Sequence, residues 1–149
     1  MKILNLAPRT GLRREVQAKY LQFNNLLKEV EKKELPDSLL QVINQRIAAV
    51  NTETEDALPK ALKTQQAYII KVLEKEAKIV PRHYYRNLWL PLGMATFGLP
   101  MGVAFGSALG NMAFMGLGLP IGMGVGIAVG TGIDNKAFHE GRQLDIEIK

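Results

Sequence analysis

Histidine is the residue type best suited to acid–base and metal chemistry near neutral pH, and this chain contains two, His83 and His139. Acids or hydroxyls lie near each of them in sequence. Both flank a long uncharged segment, however, where a histidine is more often an interfacial polar residue than a ligand. The chain has no cysteine, which excludes thiol nucleophiles, disulfides and cysteine-ligated zinc. We therefore predict no catalytic residue, no metal site and no cofactor, and a protein that is not an enzyme.

Glycine is the other residue type with a possible chemical role, because glycine-rich loops can bind phosphate. Twelve of the 14 glycines lie between Arg86 and Asp134, in a stretch without any Asp, Glu, Lys or Arg. This stretch lacks the Lys and the Ser or Thr of a phosphate-binding loop in the required context. A bilayer core of roughly 30 Å needs about 20 residues of helix. The stretch is therefore predicted to cross a membrane twice, as helices at 88–110 and 112–133.

The distribution of charge divides the chain into three parts. Residues 1–86 carry 16 Lys or Arg against 10 Asp or Glu, and the two signs are interleaved, which favours a solvated helical domain over a nucleic-acid-binding surface. Residues 87–133 are predicted to form a transmembrane glycine-zipper hairpin, and residues 134–149 a cytoplasmic tail. The predicted fold class is an all-α membrane protein, with an N-terminal cytoplasmic helical bundle followed by the two-helix hairpin.

Three amphipathic helices are predicted in the first part from apolar residues spaced by three and four. Pro36 should end the first helix, and Thr52 with Glu55 resembles a capping box before the third. One helix face could remain for self-assembly or a partner protein. The three apolar stripes are Leu12, Val16, Tyr20, Phe23, Leu27 and Val30; Leu40, Ile43, Ile47 and Val50; and Leu62, Ile69, Leu73 and Val80.

The uncharged segment contains an internal repeat. FGLPMGVAFGSALG, from Phe97, aligns without gaps with LGLPIGMGVGIAVG, from Leu117, with seven identities in 14 positions. Glycines at steps of four lie near one face of a helix and allow another backbone to approach closely. Pro100 and Pro120 are predicted to kink the helices, and the alternative is discontinuous helices or re-entrant segments that line a cavity. The predicted helix-packing residues are Gly98, Gly102, Gly106, Gly110, Gly118, Gly122, Gly126 and Gly130.

With this GxxxGxxxGxxxG pattern, the segment resembles the glycine-zipper membrane segments of many small bacterial membrane proteins. That class is defined by its packing motif and not by one activity. The resemblance covers about a third of the chain, at residues 87–133. It implies close helix association, with oligomers or pores in several members, and it implies no catalytic residue.

The glycine-rich hairpin also looks like the proton-carrying ring subunit of rotary ATPases. That family needs a carboxylate near the middle of its second helix and a polar, basic loop between the helices. Here the second helix has no Asp or Glu before Asp134, and the loop NMAFMG is uncharged. Ion translocation by that mechanism is therefore not expected.

Basic residues flank the hairpin at both ends and are absent from its loop, so the positive-inside rule predicts that both termini are cytoplasmic. The resemblance to bacterial glycine-zipper segments implies a bacterial inner membrane. Aromatic residues at the entry to the first helix resemble a membrane-interface belt. The predicted interface residues are Arg82, Tyr84, Tyr85, Arg86 and Trp89.

Two functions remain open from the sequence. The first is a non-enzymatic integral membrane protein that self-assembles through its zipper helices, with a pore or altered permeability as one outcome. The alternative is a membrane-anchored adaptor or scaffold whose cytoplasmic helices bind a partner protein. The predicted partners are the lipid bilayer, further copies of the chain and, for the adaptor, a cytoplasmic protein; no nucleic acid is expected.

Both ends of the chain contain short, extended-looking apolar runs. These are Ile3 with Leu4, and the alternating Leu144, Ile146 and Ile148. Because both termini are expected on one side of the membrane, we predict that the two runs pair as strands, within one protomer or between protomers.

Overall fold

A computed structural model describes residues 2–9 and 11–148 and is mostly helical. It contains six α-helices, two short strands and three irregular helical turns within the described ranges. In chain order the elements are α1 (Arg14–Glu31), α2 (Asp37–Asn51), α3 (Leu58–Val72), a π-helical turn (Leu73–Ala77), β1 (Val80–Arg82), α4 (Tyr84–Gly93), a π-helical turn (Met94–Gly98), α5 (Leu99–Ala108), a 3₁₀ helix (Met112–Leu117), α6 (Gly118–His139) and β2 (Gln143–Glu147).

The chain divides into two compact units. One contains the residues up to Pro81 together with those from Leu144 onward, and the other is Arg82–Gln143. The second unit is longer at both ends than the segment predicted at 87–133. Its first helix already begins at Tyr84 and its last continues to His139. Charged residues can lie on helical turns beyond an apolar span, so loss of charge does not mark the helix ends.

The core of the first unit is formed by the apolar stripes of α1, α2 and α3. These side chains pack together because each helix has one apolar face to remove from water. The π-helical turn and both strands also contribute. The largest fully buried side chains are Phe23, Leu26, Val30, Ile43, Ile47, Val50, Leu58, Leu62, Ile69, Leu73, Val80 and Leu144.

The predicted capping box before α3 does not form. The hydroxyl of Thr52 donates instead to the carbonyl of Ala49, within the last turn of α2. Helix α3 begins only at Leu58, with Pro59 in its first turn, where the missing N–H costs no hydrogen bond. The position of the proline, rather than a side-chain cap, fits the observed start of the helix.

The predicted pairing of the two chain ends within one protomer is wrong. Strand β2 hydrogen-bonds with β1, and the described N-terminal residues form no strand. Residues 2–9 are extended and bind side chains of α2 instead, including a hydrogen bond from the Leu4 amide to the Asn44 side chain at 2.8 Å. Alternating Leu144 and Ile146 did indicate a strand, but its partner could not be read from the same pattern.

Glu29 on α1 connects that helix to β2. One carboxylate oxygen accepts a hydrogen bond from Lys32, and the other accepts the backbone N–H of Asp145 at 3.3 Å. The hydrogen bond from Lys32 is the main cause that lowers the pKa of Glu29 below its ordinary value of 4.5, and the Asp145 amide lowers it further, while burial acts in the opposite direction. The charged form of Glu29 therefore favours the folded state.

Replacing Glu29 with Gln should loosen β2. A lowered carboxyl pKa stabilises the fold at pH values above the ordinary pKa, and this stabilisation is lost as the pH falls through the lowered value. At pH 7 we expect faster amide hydrogen exchange in residues 143–147 of E29Q than in the unsubstituted chain, corresponding to about 1 kcal/mol. The difference between the two proteins should shrink below pH 4.5; a difference independent of pH would contradict this role of the charge.

Candidate functional site

Two helical stretches of the second unit are long and apolar enough to cross a membrane. They are Tyr84–Ala108, with 25 residues, and Met112–His139, with 28. Only 17% of the most apolar window of each stretch is buried within the structure, whereas a core helix of a soluble protein would be mostly buried. Most of their apolar surface is therefore left exposed by the protein itself.

The two stretches pack against each other in antiparallel directions through glycine. Residues late in α6 lie beside the start of α4, and residues at the start of α6 lie beside α5. A Cβ atom added to Gly122 would be 2.6 Å from the Gly98 Cα, which is closer than real Cβ atoms approach other atoms. Close backbone contacts of this kind pair Gly130 with Tyr85 and Arg86, Gly126 with Trp89 and Leu90, Gly122 with Gly93 and Gly98, and Gly118 with Gly98 and Gly102.

Seven of the eight glycines predicted to pack lie on this buried face, and Gly110 does not. Gly110 follows the end of α5, has a φ of 63° and would meet nothing within 4 Å if it carried a Cβ. Its role is the left-handed backbone of the turn, which glycine adopts without strain. Gly93, which was not among the predicted packing residues, lies on the face instead, where an added Cβ would be 2.7 Å from the Gly126 Cα.

The π-helical turn explains why Gly93 and Gly98 can share one face although five residues separate them. In an α-helix, a spacing of five rotates a residue far from its starting face. The turn at Met94–Gly98 holds an extra residue, since π-helical hydrogen bonds span five residues instead of four. It therefore brings Gly98, Gly102 and Gly106 into line with Gly93.

Irregular helical turns lie directly before both prolines predicted to cause kinks. Pro100 is in the first turn of α5, after the π-helical turn, and Pro120 is in the first turn of α6, after the 3₁₀ helix. A proline cannot donate to the carbonyl four residues earlier, and an irregular turn accommodates the loss. Pro120 thus lies in the first turn of its α-helix, although it is within the stretch Met112–His139.

Asp134 continues the glycine series of α6 by one further step of four. It is 4% exposed, and its two carboxylate oxygens accept the backbone N–H groups of Tyr85 at 3.0 Å and Arg86 at 2.9 Å. These are two of the first-turn donors of α4 that have no acceptor within the helix, and the N-cap residue of α4, His83, makes no side-chain cap. A residue of one helix therefore caps the other, and this fixes their register.

Sequence reasoning missed this role of Asp134 and used the residue only to mark the end of the uncharged stretch. The available signal was its position, four residues after Gly130, on the same face as the glycines. A carboxylate at that place must lie against whatever backbone the glycines contact. The sequence alone does not indicate that the backbone facing Asp134 is the first turn of α4.

The predicted interface residues surround the same end of the helix pair. Tyr84 and Tyr85 open α4 and contact each other edge to face, with ring centroids 5.2 Å apart. Arg86 and Trp89 follow on α4, with backbone atoms against Gly130 and Gly126, respectively. Arg82 belongs to β1 and is exposed.

The two histidines do not form a site in the described residues. His83 has a left-handed backbone before α4, with a φ of 58°. His139 ends α6 and contacts the Phe138 ring edge to face at 5.7 Å. Across residues 2–9 and 11–148, no three Asp, Glu or His side chains are grouped as metal ligands would be.

Replacing Gly126 with Leu should separate the two helices, because even its Cβ would overlap the Trp89 backbone. Leu109→Ala is the matched control, since Leu109 is 57% exposed and loses only surface area. We expect G126L to lower the thermal midpoint in detergent strongly, with a cost of at least about 1–3 kcal/mol from overpacking. Near-UV and far-UV circular dichroism melts measure this, and equal midpoints for the two variants would argue against glycine packing.

Removing the carboxylate in Asp134→Ala should leave the Tyr85 and Arg86 amides without their partners. Loss of a helix N-cap costs about 1–2 kcal/mol. We expect faster hydrogen exchange at these two amides than at those near Gly102, in the other half of the pair. Asp134→Asn should recover part of the protection, because one amide oxygen can still accept a hydrogen bond. Unchanged exchange in D134A would contradict a capping role.

The geometry on which a function can be based is thus a buried glycine face, a carboxylate cap at one end of it and an exposed apolar outer surface. The cap and the glycine face belong to one continuous contact, which ends at Asp134. When the chain was compared with protein-family models, curated proteins and solved structures, nothing matched.

Proposed function

We propose that this protein is a non-enzymatic integral membrane protein whose glycine-packed helix pair crosses the bilayer as a hairpin and self-assembles within it. The observation that carries the proposal is the distribution of surface on the pair. Its inner face is buried in backbone contacts between the two helices, and its outer face is apolar, uncharged and exposed. In water such a surface would drive aggregation, whereas in lipid it needs no cover.

The polar ends of the hairpin support this orientation. Basic residues follow and precede the two spans, while the turn around Asn111 has none, so the positive-inside rule favours cytoplasmic termini. The capped end at Asp134 then lies at the cytoplasmic interface, beside the Tyr84 and Tyr85 rings. The first unit, with its buried core and charged surface, is the cytoplasmic helical domain in this proposal.

Self-assembly has to use a face other than the glycine zipper, because the zipper is already filled within one chain. Gly124 and Gly132 on α6 would each meet nothing within 4 Å if they carried a Cβ, and Ala128 between them is exposed. These small residues at steps of four allow close approach by a helix of another copy. The proposed contact between copies is therefore the face around Gly124, Ala128 and Gly132.

A water-filled pore is the less supported form of such an assembly. The hydroxyl of Thr96 donates to the Leu92 carbonyl at 2.8 Å, and the Asn111 side chain accepts the Ala113 amide at 2.9 Å. Each of these two side chains therefore already forms a hydrogen bond with nearby backbone. Asn87 and Ser107 are the remaining exposed polar side chains in the 87–130 range, and these two groups give little to line a channel.

The alternative is an anchored adaptor whose cytoplasmic helices bind another protein. Its specific support is apolar surface on the first unit: Leu21 on α1 is 51% exposed, and Tyr68 on α3 is 38% exposed, with the Arg46 guanidinium 3.8 Å from the centre of its ring. An adaptor needs the hairpin only as an anchor. It would therefore tolerate changes on the outer face of α6 that self-assembly would not.

Two substitutions, Gly124→Leu and Gly126→Leu, distinguish the proposed contact between copies from the helix contact within one chain. G124L should leave the hairpin folded but reduce the mass of the detergent-solubilised particle toward that of a monomer, since it changes only the outer face. G126L should unfold the pair. Light scattering with detergent correction measures mass, and a monomeric unsubstituted protein that still binds another protein would favour the adaptor.

Release of the protein from membranes by an alkaline carbonate wash would contradict the membrane proposal itself. An integral hairpin should stay with the lipid fraction, and Leu109→Ala should behave in the same way.

A further inference from the structure

An unexpected feature of the first unit is how residues 2–9 are held. Asn44 on α2 accepts the Leu4 amide at 2.8 Å and donates to the Lys2 carbonyl at 3.0 Å. Asn51, on the same helix, accepts the Ala7 amide at 2.8 Å and donates to the Asn5 carbonyl at 3.3 Å. Each asparagine thus binds one amide and one carbonyl of an extended chain, as a neighbouring β-strand would.

The spacing of the two asparagines matches the bound segment. Asn44 and Asn51 are seven residues apart, about 10.5 Å along a helix at 1.5 Å per residue. The bound amides of Leu4 and Ala7 are three residues apart, about 10 Å along an extended chain at 3.3 Å per residue. We call Asn44 and Asn51 the asparagine clamp, and residues 2–9 the strap.

The clamp contacts only main-chain atoms of the strap. The strap is also held by the Tyr20 hydroxyl on α1, which donates to the Ala7 carbonyl at 2.6 Å, and by two of its own side chains. Leu6 is 7% exposed and joins the core. Arg9 donates to the carbonyls of Asn51 at 3.0 Å and Glu53 at 2.7 Å, near the end of α2, where helix carbonyls lack partners. The helix therefore carries a binding site for an extended peptide with a leucine three residues before an arginine.

We propose that the strap of a second copy of this chain can occupy the asparagine clamp, so that copies are linked by strap exchange. A second copy offers the same main-chain atoms, the same leucine and the same arginine, so every contact of the closed form can form again between chains. Exchange of an identical element costs little beyond association. This linkage goes beyond the proposed membrane contact and does not depend on it.

The connection between the strap and α1 permits such an exchange. Only a few residues separate Arg9 from Arg14, where α1 begins. Among them Gly11 has a φ of 81° and would meet nothing within 4 Å if it carried a Cβ. Glycine adopts positive and negative φ angles with little difference in energy, so this residue can act as a hinge. Copies held in one bilayer also encounter each other at a raised effective concentration.

Two full-length variants test the exchange by complementation. The clamp variant, Asn44→Ala with Asn51→Ala, keeps a complete strap but cannot hold one. The strap variant, Leu6→Asp with Arg9→Ala, keeps a complete clamp but offers no competent strap. Each is made with two different affinity tags, and circular dichroism checks that the helices remain. If the clamp variant loses its helical circular dichroism signal, it is replaced by the single substitution Asn51→Ala. This substitution leaves the buried Asn44 in place.

Mixing the two variants in detergent should restore one strap–clamp contact between chains. We expect capture of one tag through the other to be at least fivefold higher for the mixed pair than for either variant paired with itself. Association through α6 contributes equally to all three pairings, so loss of the membrane contact would lower all of them without removing this ratio. Equal capture in the three pairings would overturn strap exchange and show that the strap closes only on its own chain.

Discussion

The structure of the second unit depends on the direct contact of two helix backbones. Side chains normally hold helix axes 8–10 Å apart. Here the residues along one continuous face are glycines, which have no side chain to separate the helices. An added Cβ at Gly122 or Gly126 would overlap the backbone of the other helix. The contact brings many backbone atoms together and leaves the larger apolar side chains to point outward. The same packing thus produces both the tight pair and its apolar outer surface.

Two further features are necessary for this contact to persist over its whole length. The π-helical turn at Met94–Gly98 corrects the phase of the first stretch, so that glycines on both sides of it meet the second helix. Asp134 then closes the contact at its polar end by accepting two backbone amides of α4. A glycine face alone has few specific contacts along its axis and would allow sliding. A buried carboxylate aimed at two amides allows one register.

In the first unit, too, a segment packs against a helix and its backbone groups need hydrogen-bond partners, but here side chains provide them. Residues 2–9 run extended along α2, and their main-chain groups need partners that a helix backbone cannot offer. Asn44 and Asn51 provide them from the helix surface. In both units a polar side chain on a helix therefore satisfies the backbone of a neighbouring segment. These hydrogen bonds hold the two packed segments in a fixed register.

The sequence by itself determined the helical class, the apolar stripes of α1 to α3 and the length of the uncharged segment, because these depend on local periodicity and composition. The glycine spacing also indicated a close-packing face. Only the tertiary structure decided that Gly93 belongs to that face, because the π-helical turn shifts the phase of the helix, and that Gly110 lies in a turn, because α5 ends at Ala108. It likewise decided the partners of Asp134, Asn44 and β2. Such pairings join residues far apart in the chain, and their energies depend on which backbone groups the fold leaves without a hydrogen bond.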